Sequence, residues 1–263
     1  MWTTTGEDEA RRFIEDAMKM SASEVEQHFM EEMSKHYRFA WGSNWSYVPK
    51  DVPLQYGTAV FIYTLYSPNI CKVFNSECRN ACEKSKPFTG WKNFPFKCYW
   101  WLLLEGLLSL PQEPTPTCTL YRGVHDLSVG EILAKTEIIF GQFASATESS
   151  NIAGKFGQYD GICLQLNDVP CSVFRKLDRY ANQMGHFEAL LVPFCVFEVL
   201  GEVELEGYGY YHRTTVALQY KNCLLEEWRS KIDSMDSLRE STHVFEPSPD
   251  PSFRPAPTLL FWS

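Results

Sequence analysis

Three short fragments in the second half of the chain carry residue types that could bind a phosphorylated ligand and act on it. Arg122 directly precedes Gly123, a pair that suits phosphate binding. A guanidinium forms bidentate hydrogen bonds to oxyanions, and glycine lets a ligand approach the backbone closely. Ser145 and Thr147 would share one face of a strand and offer two hydroxyl groups. Glu188 stands directly before an apolar run, where a carboxylate can act as a general base.

Each fragment taken alone also fits a structural role. A strand arginine is often a surface charge, and a serine and threonine pair often hydrogen-bonds the backbone at a sheet edge. A glutamate before a strand can simply be its solvated end. The functional hypothesis therefore depends on the three fragments occurring together and in this order.

The spacing of apolar residues predicts different secondary structure on the two sides of a proline-rich break at 111–116. Helical spacing dominates before the break, and short apolar, β-branched runs bounded by turn residues follow it. The predicted helices are about 7–20, a second one after Ser21, 57–66, 70–82, 94–110 and a late one at 224–239. The predicted strands are 118–124, 138–144, 161–166, 189–200 and 214–219.

These elements predict an α+β fold for a chain of 263 residues, 44% of them hydrophobic, which is enough to bury a sizeable core. We expect one domain over residues 1–245, with a mainly helical part at about 1–110 and a β-rich core at about 117–223. Residues 246–263 form a proline-rich tail, since 246–257 alone holds five prolines.

Charge and hydropathy exclude several classes of partner. A net charge of −9 and an isoelectric point near 5.2 argue against nucleic acid or an anionic membrane as the main partner. The apolar run from 99 to 110 is interrupted and short of the roughly 20 residues that span a bilayer, so no transmembrane helix is expected. The acidic N-terminus lacks a secretory signal, which favours the cytoplasm over secretion.

In this order, the three fragments resemble the Arg, Ser-x-Thr/Ser, Glu signature of the arginine-type mono-ADP-ribosyltransferases, the vertebrate ecto-enzymes and their toxin relatives. The resemblance extends over most of the chain, from about Phe13 to Cys223. Its further matches are Phe39-Ala40-Trp41 with Trp45, Tyr63-Thr64-Leu65-Tyr66 with Phe74-Asn75, Phe94-Pro95-Phe96-Lys97, Phe140-Gly141-Gln142-Phe143, Phe197-Glu198-Val199 and Asn222-Cys223. It implies a helical lobe packed on an ADP-ribosyltransferase-type β-sandwich core.

The resemblance implies that NAD+ is the substrate and that its bond between nicotinamide and ribose is cleaved, with no further cofactor and no metal. Glu188 would bind the ribose 2-hydroxyl and favour the oxocarbenium-like transition state. Arg122 would pair with the pyrophosphate, and Ser145 would position Glu188 and the ribose. Catalysis is thus assigned to Arg122, Ser145 and Glu188, and NAD+ binding to Arg122, Gly123, Ser145, Thr147 and Phe156, the last being equally compatible with an ordinary core position.

Position 186 departs from this family. Arginine-specific members carry Glu-x-Glu, whose first acid engages the target guanidinium, and this chain has His186 there. A histidine gives a guanidinium no anionic partner and repels it when protonated. We therefore predict transfer to water, which is NAD+ glycohydrolase activity, or to a non-arginine acceptor whose proton His186 takes as general base.

Several alternatives stay open at this point. His186 could be a loop histidine with no role, and the chain could be an arginine-specific transferase that tolerates it. The chain could also be a catalytically silent module that binds NAD+, although the retained Arg122, Ser145 and Glu188 argue against that. The acceptor, a protein or a small molecule, does not follow from the sequence.

The nine cysteines do not match the usual disulfides of the family. The family bonds a cysteine in its first helical segment to the late one, but no cysteine precedes Cys71, so Cys223 lacks that partner. The resemblance leaves Cys118 and Cys171 as a second bridge. The loss of one bridge weakens the case for an oxidising compartment.

Overall fold

The computed structural model describes residues 12, 16, 52, 54–64, 70–82, 90–125, 127–156, 161–177, 188–203 and 214–231. Within these ranges, helices occupy the first part and strands dominate from residue 117 onward, so the predicted α+β class is confirmed. The two N-terminal helices and the aromatic segment at 39–47 lie outside the described residues, except that Arg12 and Asp16 are helical.

The described helices of the first part are α1 (Leu54–Tyr63), α2 (Ile70–Cys82) and α3 (Lys97–Ser109), with a 3-10 turn at Trp91–Asn93 before α3. The bounds predicted for α2 are confirmed, whereas α1 begins and ends three residues earlier than predicted. None of the described helices is both long enough and apolar enough to cross a membrane.

The helix predicted over 94–110 is shorter because a proline follows each of its expected ends. Phe94 precedes Pro95 and is extended, at φ −61° and ψ 122°. Leu110 precedes Pro111 and is extended too, at φ −71° and ψ 154°. The ring of a proline disfavours the helical region for the residue before it, so α3 cannot include either position.

The helices pack on the strand-rich part through an aromatic cluster centred on Phe74 of α2. Its ring centroid lies 4.8 Å from that of Tyr99 on α3 and 5.8 Å from that of Phe143, which directly precedes a strand. Trp100 also meets Phe143, at 5.9 Å between centroids. All four side chains are buried, so the hydrophobic core is continuous between helices and strands.

The described residues contain eight strands: β1 (Thr117–Val124), β2 (Glu137–Phe140), β3 (Ala144–Thr147), β4 (Ile162–Pro170), β5 (Phe174–Lys176), β6 (Glu188–Leu191), β7 (Cys195–Val203) and β8 (Thr215–Cys223). They form one hydrogen-bonded sheet in the order β2-β7-β8-β4-β1-β3-β6-β5. Among the described strands, only β4 and β8 pair in parallel, so this sheet is mainly antiparallel. A single residue pair, Tyr121 with Thr147, joins β1 to β3 and divides the sheet into parts of five and three strands.

Two predicted strands are each divided in the structure. The run 138–144 contains all of β2 except its first residue and then the start of β3, because the chain leaves the sheet at 141–143. The run 189–200 is divided into β6 and β7 by a turn in which Phe194 has a positive φ of 69°. Hydrophobicity alone does not reveal such turns, since Phe143 and Phe194 are both buried.

The prediction also missed three short elements, which are too brief for periodicity to detect. They are β5 and two helices, α4 (Val129–Leu133) and α5 (Ser150–Phe156). After β8, residues 224–231 form helix α6, which begins where the late helix was predicted. The remainder of that helix, to residue 239, lies outside the described residues.

A buried arginine fixes the three-stranded part of the sheet to the helices. Arg175 of β5 is 2% exposed, and burial lowers the pKa of its guanidinium. The guanidinium donates to Leu110 O at 2.9 Å and to Leu108 O at 3.3 Å, at the end of α3. Because β5 pairs with β6, this contact also holds the strand that begins with Glu188.

Candidate active site

The serine and glutamate fragments lie on neighbouring antiparallel strands, β3 and β6. Thr147 is directly opposite Glu188, and Ser145 is opposite Leu190. Residues directly opposite each other, and residues two apart in one strand, share a face of the sheet. Ser145, Thr147 and Glu188 therefore lie on the same face, as their spacing predicted for the serine and threonine.

Arg122 joins this pair of strands from β1. Its Nη1 donates to the backbone oxygen of Ser145 at 2.5 Å, and the guanidinium carbon lies 6.0 Å from the centroid of the Phe140 ring. Desolvation lowers the pKa of Arg122, while the charge of Glu188 opposes this shift. The arginine and the glutamate are thus close enough for each to influence the other's charge.

Tyr63, the last residue of α1, contacts the same site from the helical side. Its hydroxyl donates to Phe143 O at 3.4 Å and accepts from Asn75 Nδ2 at 2.8 Å. Burial raises the pKa of Tyr63 well above its usual value. The charge of Glu188 raises it further, and hydrogen bonds with Asn75 and Ser145 oppose the rise. Tyr63 therefore remains a neutral phenol that contacts the serine fragment and lies within the electrostatic influence of Glu188.

Helix α2 adds Asn75 and Arg79, which are four residues apart and so share a helix face. Arg79 Nη1 donates to Gln142 Oε1 at 2.6 Å, and its charge lowers the pKa of Arg122. Asn75 Oδ1 is buried and has no hydrogen-bond partner among the described residues. The site thus contains two neighbouring guanidinium groups and one buried acceptor that nothing in the described chain satisfies.

Of the other predicted binding residues, the structure describes Gly123 and Thr147 in full. Gly123 is half-buried in β1, opposite Cys163. Thr147 is 3% exposed, and its hydroxyl accepts from the backbone of Ser149 at 3.2 Å, which stabilises the turn before α5. Phe156 ends α5, but its side chain lies outside the described part of the structure, as does all of His186.

Sequence reasoning missed the contribution of the helices to this site. Tyr63, Asn75 and Gln142 belong to fragments that match the family, yet none of them was given a role, and Arg79 was not singled out. The one available signal was the spacing of Asn75 and Arg79 on the polar face of an amphipathic helix, opposite its buried residues Ile70, Phe74, Cys78 and Ala81.

Among solved structures, exoenzyme S from Pseudomonas aeruginosa, solved with human 14-3-3 protein beta and bound to carba-NAD, is similar in fold. It superposes with a TM-score of 0.53 at 13% sequence identity, over 80% of this chain and 96% of that one. At this level of identity the likeness concerns the fold alone, and it agrees with the predicted architecture.

Two curated proteins named GPI-linked NAD(P)(+)--arginine ADP-ribosyltransferase 1 are similar in sequence. The one from Oryctolagus cuniculus is 31% identical over 174 residues, which cover 62% of this chain and 50% of that protein. The one from Mus musculus is 32% identical over 171 residues, covering 62% and 49%. This chain therefore spans about half the length of the curated relatives it matches.

A sequence profile of the family described as NAD:arginine ADP-ribosyltransferase matches residues 8–211. The matched range holds 204 of the 263 residues and includes all three fragments of the candidate site. The resemblance drawn from Arg122, Ser145 and Glu188 is thereby confirmed, and the chain belongs to the NAD:arginine ADP-ribosyltransferase family.

Proposed function

We propose that this protein cleaves the bond between nicotinamide and ribose in NAD+ and transfers the ADP-ribose to water or to a non-arginine acceptor. The observation that carries this proposal is the convergence of Arg122, Ser145 and Glu188, on three adjacent strands, at one point of the sheet. Membership of the family supports NAD+ as the substrate.

Glu188 is the residue proposed to act on the ribose. As the bond to nicotinamide breaks, positive charge develops on the sugar, and a carboxylate that holds the 2-hydroxyl stabilises that charge. Ser145 lies on the same face of the sheet as this carboxylate, and the charge of Glu188 contributes to the raised pKa of Tyr63. A neutral phenol and a hydroxyl can orient the carboxylate without competing for its charge.

Arg122 and Arg79 are proposed to hold the pyrophosphate. The charge of Arg79 lowers the pKa of Arg122, so an anion bound between the two guanidinium groups would be favoured because its charge offsets their repulsion. Asn75 Oδ1 supplies a buried acceptor for a ligand N–H or O–H, and Gly123 allows a flat group close to β1. Thr147 and Phe156 would support the ribose and nicotinamide, and no cofactor or metal is needed beyond NAD+ itself.

The choice of acceptor is proposed to depend on His186. With histidine in place of the first glutamate, position 186 offers a target guanidinium no carboxylate, which favours water or an acceptor whose proton an imidazole can take. A second candidate function is arginine-specific transfer, which is supported by the names of the curated relatives. The two functions differ in one measurable product, an arginine adduct.

The relatives also bear on where the protein would act. Both are named as GPI-linked, so they give no support to the cytoplasmic location expected from the acidic N-terminus. We propose NAD+ as the small-molecule substrate in either location, with a protein or small-molecule acceptor as the partner.

The experiment that tests the proposal measures products from NAD+ in the presence and absence of agmatine, an arginine analogue. We expect nicotinamide and free ADP-ribose from the wild-type protein, little agmatine adduct, and no turnover by Glu188→Gln, resolved by chromatography. A dominant adduct would assign arginine transfer instead. The absence of nicotinamide release from well-folded wild-type protein would leave only the NAD+-binding module.

Restoring the family pattern at position 186 tests the account of the acceptor. His186→Glu should raise the rate of agmatine modification at least about tenfold, because a bidentate carboxylate then holds the guanidinium. His186→Gln is the matched control, since it adds no charge and should gain no adduct. If His186→Glu hydrolyses NAD+ normally but forms no more adduct than His186→Gln, this explanation of the acceptor is wrong.

A further inference from the structure

Two cysteines outside the candidate site face each other across neighbouring strands. Cys195 is the first residue of β7, Cys223 is the last residue of β8, and the two are register partners in this antiparallel pair. Both are buried, with exposed fractions of 0% and 2%. In the family, the late cysteine that corresponds to Cys223 forms a disulfide with an early cysteine, and no cysteine precedes Cys71 in this sequence. Cys195 is the register partner of Cys223 instead.

The hydrogen-bond pattern places this pair at the type of position that permits a bond. Leu224 N donates to Phe194 O at 3.1 Å, which is the position of one of the two hydrogen bonds that flank a non-hydrogen-bonded pair at Cys195 and Cys223. Hydrogen-bonded and non-hydrogen-bonded pairs alternate along antiparallel strands, so Cys195 and Cys223 form a non-hydrogen-bonded pair. Cα atoms of such pairs are about 4.5 Å apart, within the range of about 4.4–6.8 Å found in disulfides.

The sulfur atoms also converge on the same turn. Cys195 Sγ lies 3.3 Å from Val192 O, Cys223 Sγ lies 3.7 Å from Pro193 O, and the two thiols are close enough to hydrogen-bond each other. A thiol is a weak donor, so little is lost when both S–H groups are removed. From the register, the burial and these contacts, we propose that Cys195 and Cys223 form a cross-strand disulfide in this protein.

The chemistry requires a disulfide oxidant, such as oxidised glutathione or a protein disulfide. A thiolate of one cysteine attacks the oxidant, releasing one thiol, and the second cysteine displaces the other half from the mixed disulfide. Two S–H bonds and the disulfide of the oxidant are replaced by one Cys195–Cys223 bond and two thiols. Burial raises the pKa of Cys195 well above its usual value, so we expect the bond to form during folding, before the strands close.

A second pair of cysteines, Cys118 and Cys171, provides a comparison for the proposed bond. Cys118 and Cys171, which the family resemblance assigns to a bridge, are both half-buried, but Cys118 is in register with Val169 and Cys171 lies just beyond β4. All nine cysteines are thiols in the structure, so the structure shows the reduced form of both pairs. The two bridges would connect different peptides and are separable by experiment.

Peptide mapping tests the bond directly. The full chain is refolded in a glutathione redox buffer, blocked with N-ethylmaleimide and digested with trypsin without reduction. We expect peptide 180–213, which contains Cys195, to be joined to 222–229, which contains Cys223, and to separate on reduction. A Cys118–Cys171 bridge would instead join 98–122 to 156–175. Blocked thiols at Cys195 and Cys223, or a link from either to another cysteine, would overturn the proposal.

Thermal unfolding gives a second, independent readout. In a Cys118→Ser background, the melting temperature of oxidised protein should be about 5–15 °C above that of reduced protein. A shift of this size is expected when a disulfide closes the loop from residue 195 to residue 223. Cys195→Ala and Cys223→Ala should each remove this difference. Cys163→Ala is the matched control, because Cys163 is equally buried but lies opposite Gly123 and Thr215, and it should keep the difference. A difference that survives Cys195→Ala would contradict the proposed bond.

Discussion

At the scale of single residues, the candidate site depends on a phenol that comes from a helix rather than from the strands. Tyr63 connects Asn75 of α2 with the backbone just before β3, and it lies beside Ser145 and Glu188. Its ring is 2% exposed, so its hydroxyl depends on these protein partners. We therefore infer that Tyr63 is a positioning residue for the serine and the glutamate.

Replacing Tyr63 by phenylalanine tests this role. The variant loses one hydroxyl and leaves Asn75 Nδ2 without its acceptor, which should cost about 1–2 kcal/mol of unfolding free energy. Because Glu188 loses an orienting neighbour, kcat for nicotinamide release should also fall about tenfold with little change in KM. Chemical denaturation and steady-state kinetics measure the two effects.

Tyr99→Phe is the matched control for this prediction. Tyr99 is buried and donates to Ala59 O at 3.2 Å, so its loss should reduce stability similarly and leave kcat unchanged. Equal kcat values for the two variants would mean that Tyr63 is structural only.

At the scale of elements, α1 and α3 approach each other so closely that only glycine fits between them. A Cβ atom on Gly106 of α3 would lie 2.6 Å from Tyr56 O, a backbone atom of α1 that cannot move without moving the helix. Since Tyr63 ends α1, the position of the phenol depends on this contact between helices.

Gly106→Ala should therefore disturb both stability and the candidate site. We expect a loss of about 1–3 kcal/mol from overpacking, together with a fall in kcat as α1 shifts. Gly130→Ala in α4 is the control, because an added Cβ there meets nothing within 4 Å and alanine favours helix, so stability should rise by up to about 1 kcal/mol. Denaturant titrations that rank the two variants in the opposite order would refute this account of the packing.

At the scale of the whole molecule, the helical part and the sheet each supply half of the proposed NAD+ site. Arg79 comes from α2 and Arg122 from β1, and together they form a local cationic cluster in a chain of net charge −9. Such a site exists only when both parts are folded and packed. A ligand that binds only the folded state shifts the folding equilibrium toward it.

NAD+ should thus raise the melting temperature of a variant that cannot consume it. For Glu188→Gln at about 100 times Kd, the gain of about 2.7 kcal/mol corresponds to a shift of about 5–10 °C. Adding Arg122→Ala should remove most of this shift, as differential scanning fluorimetry can measure. Adding Arg229→Ala, which breaks a pair with Glu105 outside the site, should leave it intact. An unchanged shift in the Arg122→Ala protein would count against the pyrophosphate contact.

The sequence by itself determined the family, the α+β class and the three strand fragments. Local rules were sufficient for these features. Prolines limit the ends of α3, and the alternation of side chains along a strand places Ser145 and Thr147 on one face. The order of the fragments identified the family without any knowledge of their contacts, since it rests on residue type and spacing alone.

The tertiary structure decided which other residues meet these fragments. The turns that divide two predicted strands, at 141–143 and at Phe194, depend on packing and a positive φ rather than on hydrophobicity. The approach of Tyr63, Asn75 and Arg79 depends on how two helices pack against the sheet. The pairing of Cys195 with Cys223 depends on strand register. Contacts between residues far apart in sequence arise from long-range packing, which local periodicity does not encode.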